Sequence, residues 1–216
     1  MGLGKTIELI GLILSHPKPL PLQTSKSKSK SKSTTKSKCD SKDLNEVIKS
    51  SATLIISPSS IAYQWVSEIE QLAPSLNVYF YQGIKANKLT PEEISMYDVV
   101  LTTYECLRSE VYFTREVSDR KLRHQKKYEN DRSSLVLIDW WRICIDEGQL
   151  IESGTSHAAE ITCKLQGRNR WAVTGTPMGK NGINDLRGLF LFLKVIFFFF
   201  SFLLNFLLFS SRNKKK

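Results

Sequence analysis

Apolar residues fall into short blocks along the chain, and the period of each block predicts an element. Ile7, Ile10, Leu12, Ile13 and Leu14 form a run that is apolar on more than one side. That predicts a helix over residues 7–14, buried against a sheet and ended by Pro17, Pro19 and Pro21. Residues 53–57 are apolar and β-branched without alternation, the pattern of a buried parallel strand. Ser57, Pro58, Ser59 and Ser60 then supply a cap for a helix over residues 61–72, in which Tyr63 and Trp65 read as packing residues. Residues 78–81 and 99–102 predict two further strands. Residues 143–145 predict another, delivering Asp146 and Glu147 to its carboxyl end. A helix over 153–165, a strand over 170–174 and an apolar helix over 184–193 complete the series. Alternating strand and helix predict an α/β fold, a single lobe built on a parallel sheet.

Three stretches stand outside this pattern. Residues 25–42 alternate Lys and Ser, with Cys39 their one apolar residue, and cannot form a core. They read as a solvated linker, with a phosphate-contacting tether or nuclear-import signal as the alternative. Residues 108–132 are charged, with Arg115, Arg120, Lys121, Arg123, Lys126 and Lys127 clustered. They read as a solvated helix or loop, or as a basic surface. Residues 195–209 are nearly all Phe, Leu and Ile, then Arg212, Lys214, Lys215 and Lys216 follow. A membrane span takes about 20 apolar residues, and this run is shorter and broken by Ser201 and Asn205, so no membrane partner is expected. It reads as an aberrant tail of translated intron. The expected division is therefore the start of a lobe at 1–20, a linker at 21–50, the rest of the lobe at 51–194 and a tail outside the fold at 195–216.

A chain of 216 residues suffices for one sizeable domain. Its formal charge of +10 favours polyanions, although part of that excess lies in the low-complexity runs. The four cysteines are dispersed, with neither a C-x-x-C pair nor a His at zinc spacing, which argues against a zinc finger and suits a reducing compartment.

The chemistry concentrates at two places. Asp146 and Glu147 follow a strand, and the carboxyl edge of an open α/β sheet is where ligands bind. Neighbours on a strand point to opposite faces, so the two carboxylates divide their work. In a nucleotide hydrolase the first holds Mg²⁺ and the second orients or deprotonates water. Taken alone, such a pair is more often a solvated turn. At the amino end, Gly2, Leu3, Gly4, Lys5 and Thr6 carry the last part of a phosphate-binding loop, whose first glycine would precede Met1. There Gly2 and Gly4 let backbone amides approach phosphate, Lys5 faces the phosphates, and Thr6 faces the metal.

Gly2-Leu3-Gly4-Lys5-Thr6, Asp146-Glu147-Gly148-Gln149 and Thr174-Gly175-Thr176-Pro177 together resemble motifs I, II and III of the Swi/Snf-type, helicase-like ATPases of superfamily two. Residues 53–61 with Gln64, Trp65 and Val66 resemble motif Ia, and residues 98–105 the next block. Trp140, Trp141 and Gln149, where most relatives carry His, resemble a branch of ubiquitin ligases with histone-linker, PHD and RING modules. The resemblance covers about residues 1–193 apart from the Lys/Ser stretch, where that branch carries large inserts.

The resemblance implies a RecA-like lobe that binds ATP and Mg²⁺, with Thr6 and Asp146 as metal ligands and Glu147, Asp146 and Lys5 as the catalytic set. It implies contact with double-stranded DNA through Ser57, Pro58, Ser59, Ser60, Thr102, Thr103 and Tyr104. It implies that Gln149 joins the nucleotide to Thr174, Gly175 and Thr176, which couple it to the DNA side. The whole protein would be a nuclear DNA-dependent ATPase and E3 ubiquitin ligase in DNA repair, bound to chromatin and engaging a ubiquitin-conjugating enzyme through its RING. This stretch by itself would hydrolyse ATP slowly or not at all, since arginine fingers of a second lobe contribute on the order of 10³ or more in rate. The alternative is an inactive DNA- or partner-binding fragment.

Overall fold

A computed structural model describes residues 4–19, 47–86, 89–110, 132–151, 157–177 and 186–195. Six strands are present in that set: β1 (Ile48–Lys49), β2 (Thr53–Ser57), β3 (Val78–Phe80), β4 (Val99–Thr103), β5 (Ile138–Asp146) and β6 (Gln166–Val173). Every pairing between them is parallel. β1 and β2 lie in line along one side of β5, so the sheet is five positions wide, in the order β3, β4, β2 with β1, β5, β6.

Alternation of side chains divides the interior in two. Leu54, Ile56, Val100, Ile143 and Ile145 enter one core, and Ile55, Val99, Leu101 and Cys144 the other. Helices cover both faces, which is why the central strands read as unbroken apolar runs. On the second face lie α1 (Lys5–Ser15), through Leu9, Ile10 and Ile13, and α2 (Ser59–Leu72), through Ala62, Trp65 and Ile69. The first face takes α3 (Pro91–Ile94), α4 (Tyr104–Glu110), α5 (His157–Lys164) and α6 (Leu186–Leu193).

The alternation of β5 breaks at Trp141 and Arg142, where β1 gives way to β2. Both side chains reach the same carbonyl, His16 O, from Trp141 Nε1 at 3.3 Å and Arg142 Nη2 at 2.8 Å. The Arg142 guanidinium also donates to Thr53 Oγ1 at 3.1 Å, and burial lowers its pKa. These bonds tie the tail of α1 to the centre of the sheet.

Several expectations are corrected. α1 packs against the sheet as expected, but through one side only, which leaves the apolar Ile7 and Leu14 exposed. α2 starts at Ser59, and no serine side chain caps it. Tyr63 is 69% exposed, in a T-shaped ring contact with Phe80, rather than packed in the core. Residues 104–110 form a helix, which the reading of a charged stretch beginning at 108 did not anticipate. Residues 25–42, 111–131, 152–156 and 196–216 lie outside the described residues. No helix among the described residues is long and apolar enough to cross a membrane.

Candidate functional site

Because all strands run one way, their carboxyl ends form one edge. Ser57 pairs with Thr103 and Asp146 with Val173, so the residues of three proposed motifs stand in a row. The amino end of α1 arrives at the same edge. Gly4 opens that helix with φ 75°, a left-handed conformation that favours glycine, in otherwise open space. No side chain caps the helix, so its first N–H groups point outward unbonded by a cap. Gly2 and Leu3 lie outside the described residues.

Lys5 Nζ lies 3.7 Å from Glu147 Oε1, with the two side chains 29% and 33% exposed. The other oxygen of Glu147 accepts from Gln149 Nε2 at 2.6 Å. Gln149 Oε1 in turn accepts from Thr174 Oγ1 at 2.9 Å, and Thr174 Oγ1 accepts from Thr176 N at 3.2 Å. One continuous polar chain thus joins Lys5, Glu147, Gln149, Thr174 and Thr176 across three loops far apart in sequence. Gly175 is exposed at the turn within it. Thr6 is half-buried one residue into α1.

Asp146 and Glu147 diverge, but not by strand pleat as expected. β5 ends at Asp146, and Glu147 turns out of it with φ 52°. A non-glycine residue held there costs about 1–3 kcal/mol and marks sites where the surroundings over-determine the backbone. Asp146 stays inside, 6% exposed. Its Oδ1 accepts from Glu147 N at 2.9 Å and its Oδ2 from Trp65 Nε1 at 2.9 Å. Its backbone carbonyl accepts from the Tyr104 hydroxyl at 2.8 Å. Burial, then the carboxylates of Asp146 and Glu147, hold the Tyr104 phenol protonated well above its usual range.

The residues expected to meet DNA separate into two groups. Ser57, Thr102 and Tyr104 are fully buried, so their side chains cannot touch a nucleic acid. Ser57 Oγ has no hydrogen-bond partner among the described residues, and Thr102 Oγ1 donates to Tyr81 O at 3.1 Å. Ser59 and Ser60 are exposed, Pro58 is half-buried, and half-buried Thr103 accepts from Cys106 N at 3.2 Å, opening α4. Two contacts of the site were missed in the sequence: Trp65 to the Asp146 carboxylate and Tyr104 to the Asp146 carbonyl. A buried indole N–H or phenol must find a partner, which signals that a bond exists without saying to what.

The SNF2-related domain matches residues 1–201. The human E3 ubiquitin-protein ligase SHPRH is 44% identical over 158 residues, covering 69% of this chain and 9% of SHPRH. DNA repair protein RAD5B of Arabidopsis thaliana is 31% identical over 204 residues, covering 90% of this chain and 14% of that protein. The Sulfolobus solfataricus SWI2/SNF2 ATPase core in complex with dsDNA superposes with a TM-score of 0.54, over 89% of this chain and 30% of that one. At 24% identity this last likeness is one of fold. The chain spans under a sixth of the two sequence relatives' length. The family match over most of its residues, joined to the parallel sheet with its motifs along one edge, makes this chain a member of the SNF2-related domain family of ATPases.

Proposed function

We propose that this chain is the ATP-binding lobe of a DNA-dependent ATPase, part of a nuclear E3 ubiquitin ligase that acts on chromatin in DNA repair. The likeness to SHPRH and to a DNA repair protein supports the larger role. Residues 1–20 and 51–194 would form the lobe, interrupted by the linker, and since β1 already pairs with β5 the second part begins by Ile48 rather than at 51. The single observation that carries the nucleotide reading is the approach of Lys5 to Glu147 at the uncapped start of α1.

Helix amides and Lys5 would hold the β- and γ-phosphates. Lys5 must first leave Glu147. At 3.7 Å and partly exposed, that pair contributes about 0–1 kcal/mol, so a multiply charged phosphate outcompetes it. Releasing Lys5 frees Glu147 Oε1 to orient the attacking water and accept its proton, while Gln149 steadies the other oxygen. Nucleotide binding is thereby reported to Thr174 and Thr176 through Gln149.

The donors fit Mg²⁺. Asp146 spends one contact on each oxygen, and a carboxylate has about four acceptor sites. Among the described residues there is no cluster of three metal-binding side chains, and Mg²⁺ needs none, since it takes one or two carboxylates plus phosphate and water. Asp146 and the Thr6 hydroxyl would hold the ion, which supplies charge neutralisation at the phosphates.

Calorimetric titration of the whole chain with Mg-ATP, beside Lys5→Ala, tests this. Binding is expected in the first and at least about 10-fold weaker in the second, because a phosphate-bound charge is removed. Equal affinities would sink the nucleotide reading. A chain that binds duplex DNA and no nucleotide is instead a DNA- or partner-binding segment.

A further inference from the structure

We propose that Trp65 is a positioning residue that sets the orientation of the Asp146 carboxylate for its divalent ion, and so makes that ion's site sensitive to α2. The proposal rests on the nucleotide reading above. On α2, Ala62, Trp65 and Ile69 form the buried stripe, and a phenylalanine would keep an apolar ring at the middle position, though a smaller one. What the indole adds is one N–H donor. It is 3% exposed, and the donor lies 2.9 Å from Asp146 Oδ2, a residue 81 positions later.

With Glu147 N on Oδ1 and Trp65 Nε1 on Oδ2, the plane of the carboxylate is fixed by a donor on each oxygen. The Tyr104 hydroxyl fixes the backbone behind it. Groups that orient a metal-binding side chain in this way govern how well it binds. α2 begins at Ser59, on the exposed part of the edge proposed to meet DNA. A shift of α2 therefore moves the donor on Asp146, a physical route from the DNA side to the ion.

The test is the Mg²⁺ concentration that half-saturates ATP binding, measured by calorimetry on the whole chain and on Trp65→Phe. A rise of roughly 10-fold or more is expected in the variant, the scale seen when such orienting partners are lost. ATP affinity in EDTA, which depends on Lys5 and helix amides, stays unchanged. An unshifted Mg²⁺ midpoint overturns the proposal. ATP binding absent from the unmodified chain, in Mg²⁺ and in EDTA alike, overturns the nucleotide reading itself and with it the metal role of Trp65. A second readout covers a Trp65→Phe chain that fails to fold. In ¹⁵N-tryptophan-labelled chain, Asp146→Ala should move one indole N–H resonance and speed its exchange with solvent. Indole resonances that all ignore Asp146→Ala also overturn the proposal.

Discussion

Cys144 lies in β5, wholly enclosed in the core beneath α1 and α2, and burial pushes its thiol up to about 12 from an ordinary 9.0. Cys106 in α4 is pushed up to about 12 for the same reason. The nucleophile is the thiolate, so both cysteines are inert at neutral pH, and Cys144 acts as a small apolar side chain, as its place in the strand predicts. We expect neither to be alkylated by iodoacetamide at pH 8 in the folded chain, and both to be alkylated in urea, read by mass spectrometry. Rapid labelling of folded Cys144 would contradict this. Stability carries the same sign. Folding favours the neutral thiol, so its contribution is complete below about 9 and is lost as pH rises from there through about 12. At this scale the sequence foretold burial better than partners. Trp65 was legible as a packing residue, whereas its bond to Asp146 joins positions that only the completed sheet brings together.

Glu110, the last residue of α4, collects three elements. It accepts from Tyr81 Oη at 2.8 Å and Ile84 N at 2.8 Å, beyond the end of β3, and from Ser133 Oγ, ahead of β5. The carboxyl is buried, and burial of Tyr81, then this carboxylate beside it, raises that phenol's pKa well above its usual range. Glu110→Ala leaves the buried Tyr81 and Ser133 hydroxyls, the part-buried Ile84 N–H and the weak Cys106 thiol donor unmet, the buried hydroxyls costing about 1–3 kcal/mol each, so a loss of about 3 kcal/mol or more is expected. Urea unfolding followed by circular dichroism measures it, and a loss under about 1 kcal/mol would mean that water replaces the carboxyl. Elements themselves were legible where one local rule sufficed. β2 is a wholly buried run rich in β-branched residues and matches its expected bounds, 53–57. α3 is four residues long and went unread, although Thr90-Pro91-Glu92-Glu93 is a capping box with proline at its first position. β1 is two residues and exists only through its pairing with β5, which no local pattern announces. α4 was hidden because Tyr104 and Glu105 resemble a loop motif, while Cys106 and Leu107 supply its apolar face only once the sheet is present.

Across the whole molecule, parallel strands put every candidate contact on one edge. Of the seven residues expected to contact DNA, burial leaves Pro58, Ser59, Ser60 and Thr103 with side chains that can be reached. With +10 of formal charge, nonspecific attraction to polyanions is expected, so affinity alone cannot locate a DNA site; a comparison of equal charge changes can. Ser59→Asp with Ser60→Asp places two negative charges at the start of α2. Gln71→Glu with Ser75→Asp places two at its far end, where both residues are exposed. If the edge holds phosphate, the first pair should weaken binding of a short duplex roughly 10-fold at low salt and flatten the salt dependence, the second much less. Fluorescence anisotropy across a salt series reads both. The same loss from either pair would mean that overall charge, not the strand edge, attracts the duplex. Misfolding is not a competing explanation for the first pair, because acidic residues in the first turn of a helix favour it by about 0.3–1 kcal/mol. A substitution that steadies α2 while weakening DNA binding separates contact from fold.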